Sequence, residues 1–430
     1  MPLSKLKMKL TDSTSSSSSV AQNSNNVNTE DIDEVDDQGQ SILMGIISQL
    51  RPGCDLSRIT LPTFILERKS MLERITNQLQ QPDILLEAHA TKDYIQRFLL
   101  VVKWYLSGWH IAPKAVKKPL NPVLGEFFTA FWDLPNDAGQ AYYISEQTSH
   151  HPPKSSYFYM IPNKKIRVDG ACIPKSRFLG NSTAAMMDGV TVLKFLDFID
   201  ENGEFEKYTL TQPNMYARGI LFGKMRIELG DHMIIKCPNT GLSIDIEFKT
   251  KGFISGTYDA IEGVVKNSNN ESLFEISGKW NDVVYIKDLI NGGSKKTFFD
   301  ATKATPLPPK VRPLNEQGEF ESRRLWKKVT DALGERNHEV ATDEKFKIED
   351  AQRVASKKRL EDGVEFHPKL FKSVENDDLE YYLYKHIPPD ADPQTITKLI
   401  LETAPILPGQ QFTPEFDIPA YKKLHNDDQK

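Results

Sequence analysis

Two adjacent histidines, His150 and His151, end a strand-like run and are followed at once by Pro152 and Pro153. Proline has a fixed φ and no N–H, and it pushes the preceding residue toward extended geometry. The imidazoles are therefore fixed at a rigid corner, where they can donate to an anion, coordinate a metal or shuttle protons. A metal would want a third ligand, and Glu146 is the nearest in sequence. Adjacent side chains on an extended backbone are expected to diverge, however, so one metal shared by both rings is disfavoured. A catalytic triad would need a nucleophile elbow, and no G-x-S-x-G stretch is present. Anion binding is the chemical reading that fits best. The plainer alternative is that the rings satisfy buried backbone groups.

Two further clusters carry charge that an anion would want. In Lys117-Lys118-Pro119-Leu120-Asn121-Pro122 a pair of prolines frames a short loop that presents Lys118 and Asn121 ahead of a strand. A fixed cation and amide suit a phosphate or carboxylate; the alternative is a solvated lysine loop. Lys345, Glu349 and Arg353 recur at i, i+4 and i+8, one stripe of a helix. Alone, that stripe reads as an ordinary exposed ladder.

The elements that must position these groups follow from patterning. The chain has 430 residues, 39% hydrophobic, with net charge −5. That is enough for one large core or two ordinary ones, and it excludes nucleic-acid binding through bulk positive charge. Its three cysteines, Cys54, Cys172 and Cys237, are too far apart for zinc spacing and suit a reducing compartment. No apolar run approaches the ~20 residues of a membrane span. The N-terminal lysines lack a following apolar segment, so no secretory signal is expected and the chain reads as cytosolic.

Residues 1–38 form a Ser/Asn-rich arm ending in the acidic block Glu30 to Asp37, and disorder is expected there. Residues 39–66 begin with Ser41 as a helix cap, then apolar positions from Ile42 to Leu50 on one helical face, then the extended Leu61-Pro62-Thr63-Phe64-Ile65-Leu66. The short helix either docks on the core or forms a lid over an apolar cavity. Residues 67–305 predict helices at 67–80 and 93–108, the second apolar nearly all round, then many aromatic or β-branched runs from 124 to 300. Turn signals such as Asn202-Gly203 and Asn291-Gly292-Gly293 separate those runs. Strands joined by short turns and uninterrupted by helices predict a large antiparallel sandwich or barrel. Residues 306–430 open with a proline-punctuated linker, predict helices at 318–334 and 342–361, and close with an irregular tail from Ile387.

Glu146-Gln147-Thr148-Ser149-His150-His151-Pro152-Pro153 resembles the EQxSHHPP fingerprint of the oxysterol-binding-protein-related lipid-transfer family. The resemblance extends over about residues 40–420, through Lys117 to Glu126, Ile173 to Asn181, Gly278-Lys279-Trp280-Asn281 and Lys345 to Arg353. Leu61 to Leu66 and the acidic block look like the family's fungal branch that carries phosphatidylserine. The resemblance implies an α+β fold: a large near-closed antiparallel β-barrel around a lipid tunnel, with an N-terminal lid helix and a C-terminal helical subdomain. It implies a carrier without catalytic residues, cofactor or metal, which exchanges phosphatidylserine for phosphatidylinositol 4-phosphate between endoplasmic reticulum and plasma membrane. Carried over, His150 and His151 would contact the 4-phosphate. Lys118, Asn121, Lys345 and Arg353 would complete that headgroup site, with Glu349 orienting the two cations. For phosphatidylserine, Leu61 and Ile65 would line the headgroup and glycerol end, with Lys118, Asn121 and Ser176 as polar partners.

Physical chemistry accords with this mapping. A phosphomonoester carries about −1.5 to −2 charges near neutral pH and needs several fixed donors. Two acyl chains hold roughly 30 methylenes; at ~0.8 kcal/mol each their exposure would cost at most roughly 20–25 kcal/mol, so a carrier must enclose them. That requirement favours the lid reading. With only a short stretch before Ser41, no pleckstrin-type targeting domain is expected, and docking on anionic membrane surfaces is expected to be direct or through a contact-site tether protein. The acidic block should repel anionic bilayers when the lid is shut. Glu126-Phe127-Phe128-Thr129-Ala130 superficially resembles a receptor-docking two-phenylalanine motif but reads as a core strand. A sterol exchanger, a lipid sensor and a metal-dependent lipid hydrolase are the rival functions.

Overall fold

The computed structural model describes residues 63–111, 117–219, 226–251, 256–375 and 377–411, and the backbone of 421–423. The expected acidic arm, the lid helix from Ser41, Cys54 and Leu61 lie outside the described residues.

The chain enters as a 3₁₀ turn, Thr63–Ile65, and a strand β1, Leu66–Ser70, which pairs in parallel with β2, Lys118–Leu120. A helix expected over 67–80 is therefore only partly present: a single turn at Met71–Arg74 runs into a 3₁₀ stretch, Ile75–Leu79. The ladder with β2 and burial of Leu66 and Ser70 override local helix preference there. Helices α1, Pro82–Ala90, and α2, Tyr94–Ser107, follow. Asp93 caps α2 by accepting from Gln96 N at 2.8 Å. Phe98, Val101, Val102 and Tyr105 of α2 are wholly buried, as its all-round apolar character predicts.

Among the described residues the main sheet has fifteen strands. In chain order its described members are β3 (Phe127–Asp133), β4 (Gln140–His150), β5 (Pro153–Ile161), β6 (Ile166–Cys172), β7 (Pro174–Phe178), β8 (Ser182–Met187), β9 (Val190–Ile199) and β10 (Phe205–Thr211). They continue with β11 (Asn214–Arg218), β12 (Arg226–Cys237), β13 (Leu242–Lys249), β14 (Ala260–Lys266), β15 (Ser272–Lys279), β16 (Val283–Asp288) and β17 (Lys296–Asp300). The path β17-β16-β15-β14-β13-β12-β10-β9-β6-β5-β4-β3 is antiparallel throughout, and β7, β8 and β11 form an arm joined through β12. One face of the sheet wraps the helices: Tyr143, Tyr157, Tyr208 and Ile246 share a core with Phe98 and Trp104.

Strands β3 to β5 are buried on both faces, and this explains their unbroken apolar runs. Phe127, Tyr142 and Phe158 point away from α2 into a second core with Leu370, Phe371, Ile396 and Ile400. Phe127 and Phe128 are thus both core residues, 7% and 2% exposed.

The barrel expected to be near-closed is not closed by hydrogen bonds: among the described residues the end strands β3 and β17 do not pair. The β3 edge is taken by the proline-rich linker instead. Phe131 and Lys310 exchange backbone bonds of 2.9 and 2.8 Å, and Phe127 N donates to Phe320 O at 3.0 Å. An edge capped in this way offers no template for another strand.

The C-terminal subdomain contains α3, Lys327–Gly334, and the long α4, His338–Asp362. Asn337 caps α4 by accepting from Val340 N at 3.2 Å, and Gly363 ends it at φ +62°. The tail expected to be irregular contains a helix, α5, Pro393–Thr403. Pro393 stands in the first turn, where its missing N–H is harmless, and Asp392 accepts from Gln394 N and Thr395 N.

Candidate functional site

The octapeptide is built around Glu146, which is 1% exposed. Its carboxylate oxygens accept from Lys369 N and Leu370 N, each at 2.8 Å, and so fasten the C-terminal subdomain to β4. Loss of hydration pushes its carboxyl up to about 7, against those two backbone donors. Gln147 exchanges backbone bonds with Gly125 and Glu126 and accepts from Ser155 Oγ at 2.6 Å. Thr148 Oγ1 meets Ser156 Oγ at 2.9 Å.

The histidines differ. Their ring centroids are 4.4 Å apart, tilted by 58°, so the expected divergence of neighbouring side chains does not occur. The β4–β5 register shifts between Gln147 and Ser149, and a bulge breaks strict alternation. His151 is exposed and His150 half-buried. Burial and the neighbouring His151 hold the His150 imidazole down to about 4, with Glu349 acting the other way. His150 Nδ1 is buried with no hydrogen-bond partner among the described residues. No group of three or more His, Cys, Asp or Glu suited to a metal occurs among the described residues.

Lys118 reaches this corner from β2, where its register partner is Leu66. Lys117 Nζ anchors the same segment by donating to Phe64 O at 3.0 Å. The Lys118 side chain is solvent-accessible, yet so much protein surrounds it that lost hydration lowers its pKa, helped by Lys345 and opposed by Glu349. Lys345, on α4, pairs with Glu349 at 2.5 Å, and the two side chains are 13% and 28% exposed.

The loop between β2 and β3 is fixed by Glu126, a second buried carboxylate. It accepts from Ser70 Oγ (2.5 Å), Ser322 Oγ (2.7 Å), Trp326 Nε1 (2.9 Å) and Val123 N (3.0 Å). Burial still raises its pKa. Next to it, Leu124 N donates to Gln352 Oε1 at 2.5 Å, and Gln352 Nε2 lies 3.0 Å from His150 Nε2.

The structure therefore brings together Lys118, His150, His151, Lys345 and Glu349. Arg353 is placed differently. It pairs with Asp350 at 3.2 Å, with side chains 55% and 50% exposed, and lies 5.3 Å over the Phe346 ring. Glu349 orients Lys345, whereas the carboxylate beside Arg353 is that of Asp350. Asn121 is exposed on the loop after β2. Ile65 is buried next to the residue that pairs with Lys118, while Ser176 is half-buried on β7 opposite Ala185.

Gln352 escaped the sequence reading, although a signal exists. At 100° per residue, i+7 lies about 20° from Lys345 and i+8 about 80°. The inward stripe is thus Lys345, Glu349 and Gln352. A separate cavity of about 910 Å³ lies away from this site, between α5 and the β5–β6 turn, with Asn163, Lys385, Thr397 and Leu401 in its lining.

The family model for oxysterol-binding protein matches residues 45–333. Oxysterol-binding protein homolog 6 of Saccharomyces cerevisiae is 70% identical over 400 residues, covering 93% of this chain and 89% of that protein. Among solved structures, the Osh1 ORD domain in complex with cholesterol matches with TM-score 0.67 at 25% identity, over 81% of this chain and 87% of that one. The fold is also that of the Saccharomyces cerevisiae Osh3 ORD in complex with PI(4)P, with TM-score 0.59 at 21% identity over 80% of this chain and 89% of that one. No helix among the described residues is long and apolar enough to cross a membrane. The chain belongs to the oxysterol-binding protein family, whose members are lipid-transfer proteins rather than enzymes.

Proposed function

We propose that this protein exchanges phosphatidylserine for phosphatidylinositol 4-phosphate between the endoplasmic reticulum and the plasma membrane. The observation that carries the reading is the meeting of Lys118, Lys345 and the His150–His151 pair. They come from three distant segments, with electrostatic coupling between Lys118 and Lys345 and between the two histidines, and with Glu349 acting on both Lys118 and His150. Like charges crowded in this way disfavour one another until an anion arrives. A phosphomonoester dianion supplies that anion, and several charge-assisted donors supply its specificity. Arg353 joins by leaving Asp350, an exposed pair worth under about 1 kcal/mol. Asn121 completes the phosphoinositide set. The phosphatidylserine end uses Leu61, Ile65, Lys118, Asn121 and Ser176, so the two headgroups compete for one mouth and exchange follows. Direction comes from unequal lipid concentrations, since a carrier creates no gradient by itself.

The test is transfer between donor and acceptor liposomes. Each lipid should accelerate transport of the other, and transport of neither removes the idea. The double variant His150→Ala/His151→Ala should lose phosphoinositide extraction by about 100-fold or more, as expected for two charge-assisted hydrogen bonds, and retain phosphatidylserine. Leu61→Asp should do the reverse, and equal loss of both lipids refutes separate headgroup sites. A sterol cargo is the second reading, favoured by the cholesterol held in the Osh1 ORD domain. A mass spectrum of lipid carried through purification decides between them.

A further inference from the structure

The amide of Gln352 is held from two sides, and its orientation is dictated by donor and acceptor chemistry. A backbone N–H can only donate, so the atom facing Leu124 N at 2.5 Å is the amide oxygen. The NH₂ end then faces His150 Nε2 at 3.0 Å. An NH₂ group has no lone pair to offer, so His150 Nε2 must accept, and the ring's single proton sits on Nδ1. Nδ1 is buried and has no partner among the described residues. In this arrangement neither ring nitrogen of His150 is offered to an incoming anion.

We infer that Gln352 is a positioning residue: anchored on Leu124 N–H, it keeps His150 neutral in the Nδ1–H tautomer, and a phosphate headgroup must displace its amide to recruit that imidazole. The inference rests on the phosphoinositide reading above and adds a selectivity device to it. Around the ring, burial and His151 disfavour an added proton and Glu349 favours one. A phosphomonoester brings nearly two negative charges and can tip that balance, so that Nε2 becomes a protonated donor and the amide swings away. A phosphodiester such as the one in phosphatidylserine brings a single charge and leaves the Gln352–His150 link in place. His150 is then used for one cargo and locked for the other. The lock is mounted on Glu126, whose four donors fix the loop that holds Leu124.

The experiment compares three full-length proteins: wild type, Gln352→Met and Gln352→Glu. Methionine removes the donor at similar length. Glutamate keeps the acceptor for Leu124 N but can only accept from His150, so it demands a proton on Nε2. Long-range ¹H–¹⁵N correlation spectra of the lipid-free proteins at neutral pH report the tautomer directly. Wild type should show His150 protonated on Nδ1, and both variants should move the proton to Nε2 or protonate both nitrogens. A purely packing role for Gln352 would leave the tautomer unmoved. Phosphatidylcholine vesicles doped with phosphatidylinositol 4-phosphate or with phosphatidylserine supply the second readout. The ratio of phosphoinositide to phosphatidylserine extraction should rise about fivefold in Gln352→Met, the equivalent of one ordinary hydrogen bond no longer broken on binding. A wild-type Nε2–H tautomer, or variants that both retain Nδ1–H, would overturn the inference. So would an unchanged ratio, or equal loss of both lipids. If wild type extracts no phosphoinositide while the tautomer responds as stated, the exchange reading fails and the positioning of His150 by Gln352 stands.

Discussion

Residues 146–148 and residues 150–151 belong to one octapeptide and one strand, yet they obey opposite rules. Glu146, Gln147 and Thr148 are buried, and each side chain has a partner: two backbone amides, a serine hydroxyl, a second serine hydroxyl. His150 is half-buried, has one nitrogen without a partner among the described residues, and lies beside an exposed twin and the Glu349 carboxylate. A buried polar group left unmatched lowers stability, so a chain tolerates it where a ligand or a switch supplies the missing partner. The first half of the motif is scaffold and the second half is instrument. Removing the scaffold should destabilise the fold. Removing the instrument should leave stability within about 0.5 kcal/mol of wild type, as for substitutions away from the core.

Glu126 is the sharpest test of the scaffold side. Glu126→Ala removes the acceptor shared by four donors, of which Ser322 Oγ keeps only a longer bond to Phe127 O at 3.3 Å, and opens a cavity among β2, β3 and the C-terminal helices. We expect a loss of about 3–4 kcal/mol in denaturant unfolding, in the range of buried network disruptions. A loss below ~1 kcal/mol would show that the network is redundant. Phosphoinositide extraction should fall with it, because the Leu124 loop loses its anchor.

Glu146→Gln should have a smaller effect, about 1–2 kcal/mol, because an amide NH₂ would face one of two backbone N–H donors. Its pH dependence has a definite sign. The folded pKa is about 7 and lies above the ordinary 4.5. Between those values the unfolded chain has released the proton and the folded chain still holds it. Stability from this group therefore falls as pH rises from ~4.5 to ~7. Glutamine has no such slope. The gap between wild type and variant should be widest at and below pH 4.5, then narrow and reverse toward pH 8; a gap that widens instead would mean that Glu146 is stabilised as the carboxylate.

The same contrast governs what was legible in the amino-acid sequence. Helix 94–107 and the turn-separated strands announce themselves through periodicity, and the EQTSHHPP stretch through its unusual chemistry. The strand at Leu66–Ser70 does not, because its partner Lys118–Leu120 is remote in sequence. The linker's seal on β3 is hidden for the same reason: it depends on backbone groups of Lys310 and Phe320, whose side chains carry no signal of it. The tail from Ile387 reads as irregular, whereas Pro393 is a first-turn residue of α5 and Asp392 caps it. At the site, charge drew attention to Lys345, Glu349 and Arg353, while neutral Gln352 makes the contact to His150. Charged groups advertise anion chemistry; the amide that sets an imidazole's tautomer is visible only once helix and strand are docked.

Arg353 supplies the finest cut between scaffold and instrument, because its present partner is neither buried nor strong. Asp350 and Arg353 are i and i+3 on α4, half exposed, at 3.2 Å. Such a pair contributes a few tenths of a kcal/mol and is screened by salt. If Arg353 joins the phosphate site by leaving Asp350, Asp350→Asn should free it. Phosphoinositide extraction at low salt should then rise by up to about twofold, roughly 0.4 kcal/mol. The gain should vanish at high salt, and phosphatidylserine extraction should not follow it. An equal rise for both lipids would assign Arg353 to general attraction for anionic vesicles. No rise at low salt would place it outside the site altogether and leave Lys118, Lys345 and the histidines as the whole of the phosphate's cationic surroundings.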